Sequence, residues 1–558
     1  MTTTSAPSAR KSRTPSSSAA SNASVSAARG RVIFVGTGPG DPDLLTLGAI
    51  AALADAGAVI LDTERQQEIL AHPAIKIADD AEVATLGLSE AGKPLTPSAR
   101  AKVVIKHATS GLRVVRLVTG DPFLDNGVAE EAAACVRGGV HFEVVPGVSS
   151  LTAVPEYAGI DLHNAGGVHF VSCTEGKFSK ASSTEWAGVA TLVVSTRAGM
   201  TAEFVDVALS AGRAAEETAL VTFHGGSTEQ SSLATSLTDL VAAVKSMKAP
   251  AGELVHITLG RAVENRDELS WYETKPLFGW RVLVPRTKDQ AVQLATRLRT
   301  YGAHSEEVPT ISVEPPRSPL QMDKAIRGLV EGRYEWIAFT STNAVRAVRE
   351  KFEDYGLDAR AFSGLKVAVV GEATAAALQA WGIEPDLRPS DEQSAAGLAA
   401  SWPPYDEVLD PINRVFLPRA DIATETLAAG LIALGWEVED VTAYRTVRAA
   451  PPPAPVREAI KTGKFDAVVF TSSSTVRNLV GIAGKPHTGT VIAAIGPATA
   501  KTCEEHGLRV DVVATKPSAT ELADALAAFA AERRDALVAS GQQVLKPSQR
   551  RVGTRRRP

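Results

Sequence analysis

From Arg31 onward the chain alternates short apolar runs with stretches whose apolar positions recur at helical spacing. RVIFVG, AVILD, VVRLV, FEVV, VHFVS and TLVVS have the length and β-branched content of buried strands, and helix-like stretches separate them. Strands alternating with helices predict an α/β fold with mostly parallel sheet. The pattern breaks at LSWYETKPLFGW, residues 269–280, which is aromatic, contains Pro276 and leads into a new strand, RVLV. The main boundary of the chain is placed there.

Beyond the boundary the pattern repeats itself. RVLVPRT at 281–287 recurs as RVFLPRA at 414–420. YEWIAFTSTNAVRAV at 334–348 recurs as KFDAVVFTSSSTVRNLV at 464–480, and LKVAVVGEATAAAL at 365–378 as TVIAAIGPATAKTC at 490–503. Three signatures in the same order and at similar spacing predict two similar α/β lobes.

Bulk properties narrow the partners. A chain of 558 residues makes three to five compact units at roughly 100–200 residues each. A hydrophobic fraction of 44 % and a charged fraction of 22 % are ordinary for a globular protein in the cytoplasm. No apolar run approaches the roughly 20 residues of a membrane span. A net charge of −5 gives no general pull toward nucleic acid. Neither membrane nor nucleic acid is therefore expected as a partner. Cys135, Cys173 and Cys503 are odd in number and far apart, with no CxxC and no HExxH in the chain. They read as packing thiols in a reducing compartment, and no metal site is expected. Residues 1–30 hold almost no large apolar side chain and read as a disordered tail. The Arg-rich end reads as a solvated basic tail.

The duplicated signatures carry candidate chemistry. In FTS-TNAV, FTS-SSTV, GEAT-AAAL and GPAT-AKTC an apolar strand ends in Ser or Thr and a helix begins at once. Such a residue caps the helix and leaves backbone N–H groups at its positive end, a geometry that binds anions. Gly371 and Gly496 would let a ligand approach the backbone closely. Four such ends facing one cleft suit a ligand with several carboxylates; ordinary caps with no ligand are the alternative.

DIATETLAAGLIALGWEVEDVTAYRTV, FDAVVFTSSSTVRNLV and AIGPATA resemble uroporphyrinogen-III synthases, and the resemblance runs over about 279–531. It implies two lobes joined by a two-stranded hinge, one lobe being built from both ends of the domain. The implied substrate is hydroxymethylbilane, a linear tetrapyrrole with eight carboxylates. The last ring is inverted and the macrocycle closed to uroporphyrinogen III without metal or cofactor. Tyr444, in the family's VxxYRT position, would assist loss of the substrate hydroxyl, or else be a strand residue lining the hinge. Ser341, Thr374, Ser473 and Thr499 would be carboxylate clamps. Arg286 and Arg419 would add charge at the cleft or be structural.

The first half holds a Gly-rich turn, VGTGPGDPDLLTLGA at 35–49, which is not the dinucleotide fingerprint because Asp41 stands where the third Gly belongs. With RLVTGDPFLDNGVAEEA at 116–132, VVPGVSSLTAVPEYAGI at 144–160 and STEQSSLATSLTDL at 227–240, it resembles the tetrapyrrole methylase family, specifically its uroporphyrinogen-III C-methyltransferases. The resemblance covers about 31–275. It implies S-adenosylmethionine bound between two α/β subdomains, methylation of uroporphyrinogen III toward precorrin-2 on the route to sirohaem and cobalamin, and a homodimer. Pro39 and Gly40 would border the donor, Gly120 and Asp121 would form the donor-facing loop, and Ser149 and Ser150 would sit in the PGVSS turn. Four positions depart from the family pattern: Thr119 replaces Gly, LDNG replaces FGRG, DTERQ at 62–66 replaces DRLV, and STRAG at 195–199 replaces the Met-containing YMG.

The expected organisation is a disordered tail at 1–30, a two-subdomain methylase-like domain at 31–272, a linker at 273–279, a synthase domain at 280–536 and a basic tail at 537–558. The synthase domain divides into a lobe of 280–318 plus 446–536 and a lobe of 319–445. The leading reading is a bifunctional enzyme whose second half makes uroporphyrinogen III and whose first half methylates it, fusion raising the local concentration of the shared intermediate. A second reading leaves only the synthase active, with the first half a binding or regulatory module. A third gives the methylase another target, such as ribosomal RNA.

Overall fold

A computed structural model describes residues 30–550, apart from 73, 79, 87–94, 126, 180–181 and 391. The head at 1–29 and the end at 551–558, both assigned to tails, lie outside the described residues. The chain forms two compact units. The first is Met1–Arg281 with Ala295–His304 and Ala527–Val544, and the second is Val282–Leu294, Ser305–Leu526 and Leu545–Pro558.

The first unit holds two five-stranded sheets. β1 (Arg31–Gly36), β2 (Ala58–Leu61), β3 (Glu82–Thr85), β4 (Val114–Val118) and β5 (His141–Val145) lie in the order β3-β2-β4-β1-β5. All four pairings are parallel. β2 and β4 are buried along their whole length, as a sheet covered on both faces requires. The second sheet contains β6 (Val168–Cys173), β7 (Thr191–Arg197), β8 (Thr218–Phe223), β9 (Ser231–Ser236) and β10 (Leu254–Gly260) in the order β6-β7-β10-β8-β9. Here the expectation of mostly parallel sheet fails. Only β6–β7 is parallel, whereas β7–β10, β10–β8 and β8–β9 are antiparallel. The turn between β8 and β9 is too short for a parallel crossover, which needs a dozen or more residues. Apolar run length does not report strand direction, so the sequence pattern could not show this.

The segment read as a linker is packed. Within 273–279 Leu277 is buried, as are the flanking Tyr272 and Trp280, and the Tyr272 ring meets Tyr157 edge-on at 4.6 Å. The segment therefore closes the first unit.

The second unit's strands are β11 (Arg281–Val284), β12 (His304–Glu307), β13 (Ile311–Glu314), β14 (Trp336–Phe339), β15 (Lys366–Val369), β16 (Arg414–Ala420), β17 (Glu437–Arg448), β18 (Ala467–Phe470), β19 (Val491–Ala494) and β20 (Val512–Val513). They form one sheet ordered β12-β11-β18-β19-β20 and another ordered β13-β17-β16-β14-β15. The duplication is visible in these orders. β11, β18 and β19 occupy in one sheet the places of β16, β14 and β15 in the other. Each sheet therefore combines the first signature of one copy with the second and third signatures of the other, which makes the β11 lobe discontinuous. β13 and β17 are antiparallel partners, from Ile311 opposite Arg448 to Glu314 opposite Arg445. The chain passes between the lobes along these two strands, and an Arg445–Glu314 ion pair at 2.6 Å ties them.

At the C-terminal end a helix runs from Ala519 to Ala539, and the Ser548 amide donates to Asp466 at 2.9 Å. The segment 537–550 is thus ordered where a solvated tail was expected. Cys135, Cys173 and Cys503 are free thiols. Burial pushes Cys135 and Cys503 up to about 11, so they remain protonated at neutral pH. Among the described residues no helix is long and apolar enough to cross a membrane.

Candidate active sites

In open parallel sheets the loops beyond the carboxyl ends of the strands are where ligands meet the protein. Each lobe of the second unit presents two helices at that edge. Ser341 follows β14 and caps the helix Thr342–Asp354, its Oγ accepting from the Ala344 amide at 3.1 Å. The same oxygen lies 2.9 Å from the Tyr444 hydroxyl. Two residues selected for separate roles, 103 positions apart, therefore form one hydrogen-bonded pair. Tyr444 reaches Ser341 because β17 changes register against β16 between Arg419 and Ala420, and Ala420 comes to lie opposite Tyr444. The shift re-aims the strand at its functional end. Tyr444 is buried, at 7 % exposure.

The other three clamp candidates are placed differently from the expectation. Ser473 is not a cap: it is the first residue of the helix Ser473–Ala483, and Ser472 caps it by accepting from the Thr475 amide at 3.3 Å. The Ser473 hydroxyl donates to the Ala498 carbonyl at 3.1 Å and accepts from Thr502 at 2.9 Å, binding this helix to the next. Ser472 is the residue missed. Strict superposition of the two FTS copies pairs it with Ser341. Thr374 and Thr499 lie inside the helices Glu372–Gln379 and Pro497–Glu505 and are buried, while Gly371 and Gly496 hold the cap positions in extended conformation. What these two turns offer a ligand is backbone N–H rather than a threonine hydroxyl.

The two arginines of the duplicated first signature differ. Arg419 is closed in by Asp440 (Nε to Oδ1, 2.6 Å), Glu425 (2.8 Å) and the Thr424 carbonyl (2.6 Å), so its role is structural. Arg286, its equivalent, has no side-chain partner among the described residues.

In the first unit the motif loops converge at the carboxyl edge of β1 and β4. Gly38 and Gly120 exchange backbone hydrogen bonds, at 2.7 and 3.3 Å. Gly120 has φ +70°, and a Cβ there would lie 2.1 Å from Asp125 Oδ2. Its glycine is thus demanded by loop packing, not by the approach of a ligand. Asp121 accepts from the amides of Phe123 (2.9 Å), Leu124 (3.0 Å) and Gly147 (3.3 Å), which makes it a turn acid joining two motif loops. Asp125, which the sequence reading passed over, is the hub. It is buried and accepts from the Asp121 amide (2.5 Å), the Ser149 hydroxyl (2.9 Å) and the Ser150 amide (3.0 Å). Ser149 also caps the helix Ser150–Tyr157, and Ser150 is buried. The polar groups of the PGVSS turn are therefore engaged internally. Pro39 and Gly40 pack on the turn after β8: a Cβ at Gly226 would meet Pro39 Cγ at 2.7 Å, and one at Gly40 would meet the Gly225 carbonyl at 3.3 Å. Tyr157 donates to Asp41 at 2.9 Å and fixes this turn.

Two of the departures from the family pattern, DTERQ and Thr119, meet. Gln66 of DTERQ is buried, accepts from the Asp62 amide at 2.6 Å and reaches the Thr119 hydroxyl at 3.5 Å. Arg65 pairs with Glu229 at 2.5 Å and contacts His224, whose pKa burial and the Arg65 charge pull down to about 4. In STRAG, Thr196 and Arg197 donate to the carbonyls of Cys173 and Thr174, each at 2.8 Å. Phe123 and Leu124 stand exposed beside the GDP turn, an apolar surface next to polar backbone. That mixture fits a donor with an aromatic base and an amino-acid end.

The Asp125 hub makes a pH-dependent prediction. Burial raises its folded-state pKa above the usual carboxylate value, against the hydrogen bonds that lower it. The folded chain thus holds the proton more readily than the unfolded chain. The linked stability is present below the unfolded pKa and is lost as pH rises through the folded one. Asp125→Asn keeps an acceptor for the two amides and offers N–H to Ser149. It should fold, with a melting temperature that varies less between about pH 4 and 7 than the parent's does. Asp125→Ala, which strands those donors, should lower stability at every pH by about 1–3 kcal/mol.

Comparison with known proteins agrees with this division. Residues 292–524 match the family described as uroporphyrinogen-III synthase HemD, and residues 31–241 match the tetrapyrrole (corrin/porphyrin) methylases. A uroporphyrinogen-III synthase of Synechococcus elongatus is 32 % identical over 253 residues, covering 43 % of this chain and 91 % of that one. A porphyrin biosynthesis protein HemD of Ruminiclostridium josui is 27 % identical over 507 residues, 89 % of this chain and 97 % of that one. A uroporphyrinogen-III C-methyltransferase of Bacillus subtilis is 28 % identical over 323 residues, 57 % of this chain and 64 % of that one. The chain spans about half the length of the sirohaem synthases it also matches.

Fold, duplication and loop chemistry define an α/β enzyme of tetrapyrrole synthesis in two functional parts. The chain belongs to the uroporphyrinogen-III synthase family, and its first half is a tetrapyrrole methylase domain.

Proposed function

We propose that the second half converts hydroxymethylbilane to uroporphyrinogen III and that the first half methylates this product with S-adenosylmethionine toward precorrin-2. The observation that carries the synthase assignment is the Tyr444–Ser341 pair at a helix N-terminus on the carboxyl edge of the sheet. Loss of the substrate hydroxyl as water requires a proton, and in this reading the Tyr444 phenol gives it. As the proton leaves, the Ser341 hydroxyl turns to donate to the phenolate oxygen. The positive end of the helix Thr342–Asp354 stabilises the charge that forms. The proton released on ring closure restores the phenol. Holding the carboxylates in one geometry, so that the last ring attacks at its substituted carbon, is a positioning effect.

In the first half, S-adenosylmethionine supplies the methyl group when bound. Pro39, Gly40 and the Gly120 loop would border it, and the Asp125 hub fixes that loop. Both domains are present, so this reading leads over one in which the first half only binds. A homodimer through the first half belongs to the same reading, and sedimentation of the full chain gives its mass. The test of the second activity is transfer of labelled methyl groups from S-adenosylmethionine to uroporphyrinogen III by the full-length protein. Two methyl groups per macrocycle are expected; none, with donor in excess, leaves the first half without its proposed activity.

A further inference from the structure

Arg286 lies two residues past the end of β11, and Thr471 directly follows β18. β11 and β18 are parallel neighbours, with Val282 opposite Ala467 and Leu283 opposite Val468, so both residues stand at the same edge of the sheet. Neither side chain has a partner among the described residues. The Thr471 hydroxyl oxygen is buried and makes no hydrogen bond among the described residues. The Arg286 guanidinium forms no ion pair there, and partial burial with no counter-charge pulls its pKa down. Buried polar groups are almost always satisfied, so the Thr471 hydroxyl asks what completes it, and the half-buried Arg286 stands at the same edge of the sheet.

We infer that Arg286 and the Thr471 hydroxyl form an anchor for one carboxylate of the linear tetrapyrrole on the β11 lobe. The inference rests on the synthase reading above. A guanidinium presents a planar fork that matches a carboxylate, and the hydroxyl adds a third donor. The duplication supplies the contrast. Arg419 holds the equivalent place in the other lobe, but Asp440 and Glu425 neutralise it. The two lobes therefore divide the labour: the β11 lobe offers a cation with no counter-charge among the described residues, and the β16 lobe offers the Tyr444–Ser341 hydroxyl pair.

Steady-state kinetics of the full-length protein on hydroxymethylbilane test this. Arg286→Gln should raise KM about 10-fold or more while kcat stays within about 3-fold, since a charge-assisted hydrogen bond is lost from binding. Arg286→Lys should recover most of that loss, because the charge is kept. Thr471→Val should raise KM about 3-fold or more. The double variant should lose less than the product of the single effects, because both residues hold one carboxylate. Arg419→Gln should lower the melting temperature and leave KM within about 2-fold. If KM of Arg286→Gln stays within about 2-fold of the parent, or if Arg286→Lys is as impaired as Arg286→Gln, the anchor is wrong. Failure of the parent protein itself to form the type III isomer would sink the synthase reading instead.

Discussion

Tyr444→Phe is expected to slow formation of uroporphyrinogen III about 10–100-fold, with the protein still folded. Packing is nearly conserved, and the hydroxyl is the only group removed. A positioned acid commonly contributes about 100–10,000-fold, but hydroxymethylbilane loses water readily by itself, which places the effect at or below the low end. The Ser341–Tyr444 pair sharpens the test. Ser341→Ala removes both the helix cap and the phenol's partner, so it should slow the reaction and lower stability by about 1 kcal/mol. Tyr444→Phe should do only the first. Stopped assays that separate enzymatic from spontaneous closure measure the rates, and thermal melts measure the stabilities. An unchanged rate in Tyr444→Phe would make Tyr444 a residue of the strand alone.

The largest stability effect is expected at Glu131. It is fully buried in the helix Val128–Arg137, where its carboxylate bonds Arg100 Nε at 2.5 Å and lies 3.4 Å from Arg116 Nε. Arg116 is itself buried in β4 and pairs with Asp62 at 2.6 Å, and Arg100 also meets Glu175 at 2.7 Å. Removing one member of a buried ion pair leaves an uncompensated charge and typically costs about 3–5 kcal/mol. Glu131→Ala should therefore lower the melting transition of the first unit by about 10 °C. Glu131→Gln, which keeps shape and one acceptor, should cost less. Scanning calorimetry of the full-length variants decides it. A transition within about 2 °C of the parent in Glu131→Ala would mean that Asp62 and Glu175 suffice to hold both arginines.

The alternation of strands and helices and the duplication were legible because each rests on local pattern: apolar runs, helical spacing and signatures that recur in order. The discontinuous lobe was implied by the family resemblance alone. The strand directions of the β6–β10 sheet were not legible, because a buried strand carries the same residues whichever way it runs. The site residues divide in the same way. Ser341 and Tyr444 were readable as types, yet their contact joins β17 to the end of β14 and depends on a register shift at Ala420. Sequence alone points to Ser473, one position past the cap, because Ser472, Ser473 and Ser474 are chemically alike and only the cap geometry separates them. Asp125 and Glu131 look like surface acids in a loop and a helix. Their importance comes from burial and from partners in distant segments, which no local pattern encodes.

Incubation of the purified full-length protein with hydroxymethylbilane, followed by separation of the isomers, tests the central claim most directly. The account predicts uroporphyrinogen III as the dominant product, formed faster than closure in a protein-free control and without added metal or cofactor. A product mixture dominated by uroporphyrinogen I, formed at the rate of the control, would contradict it.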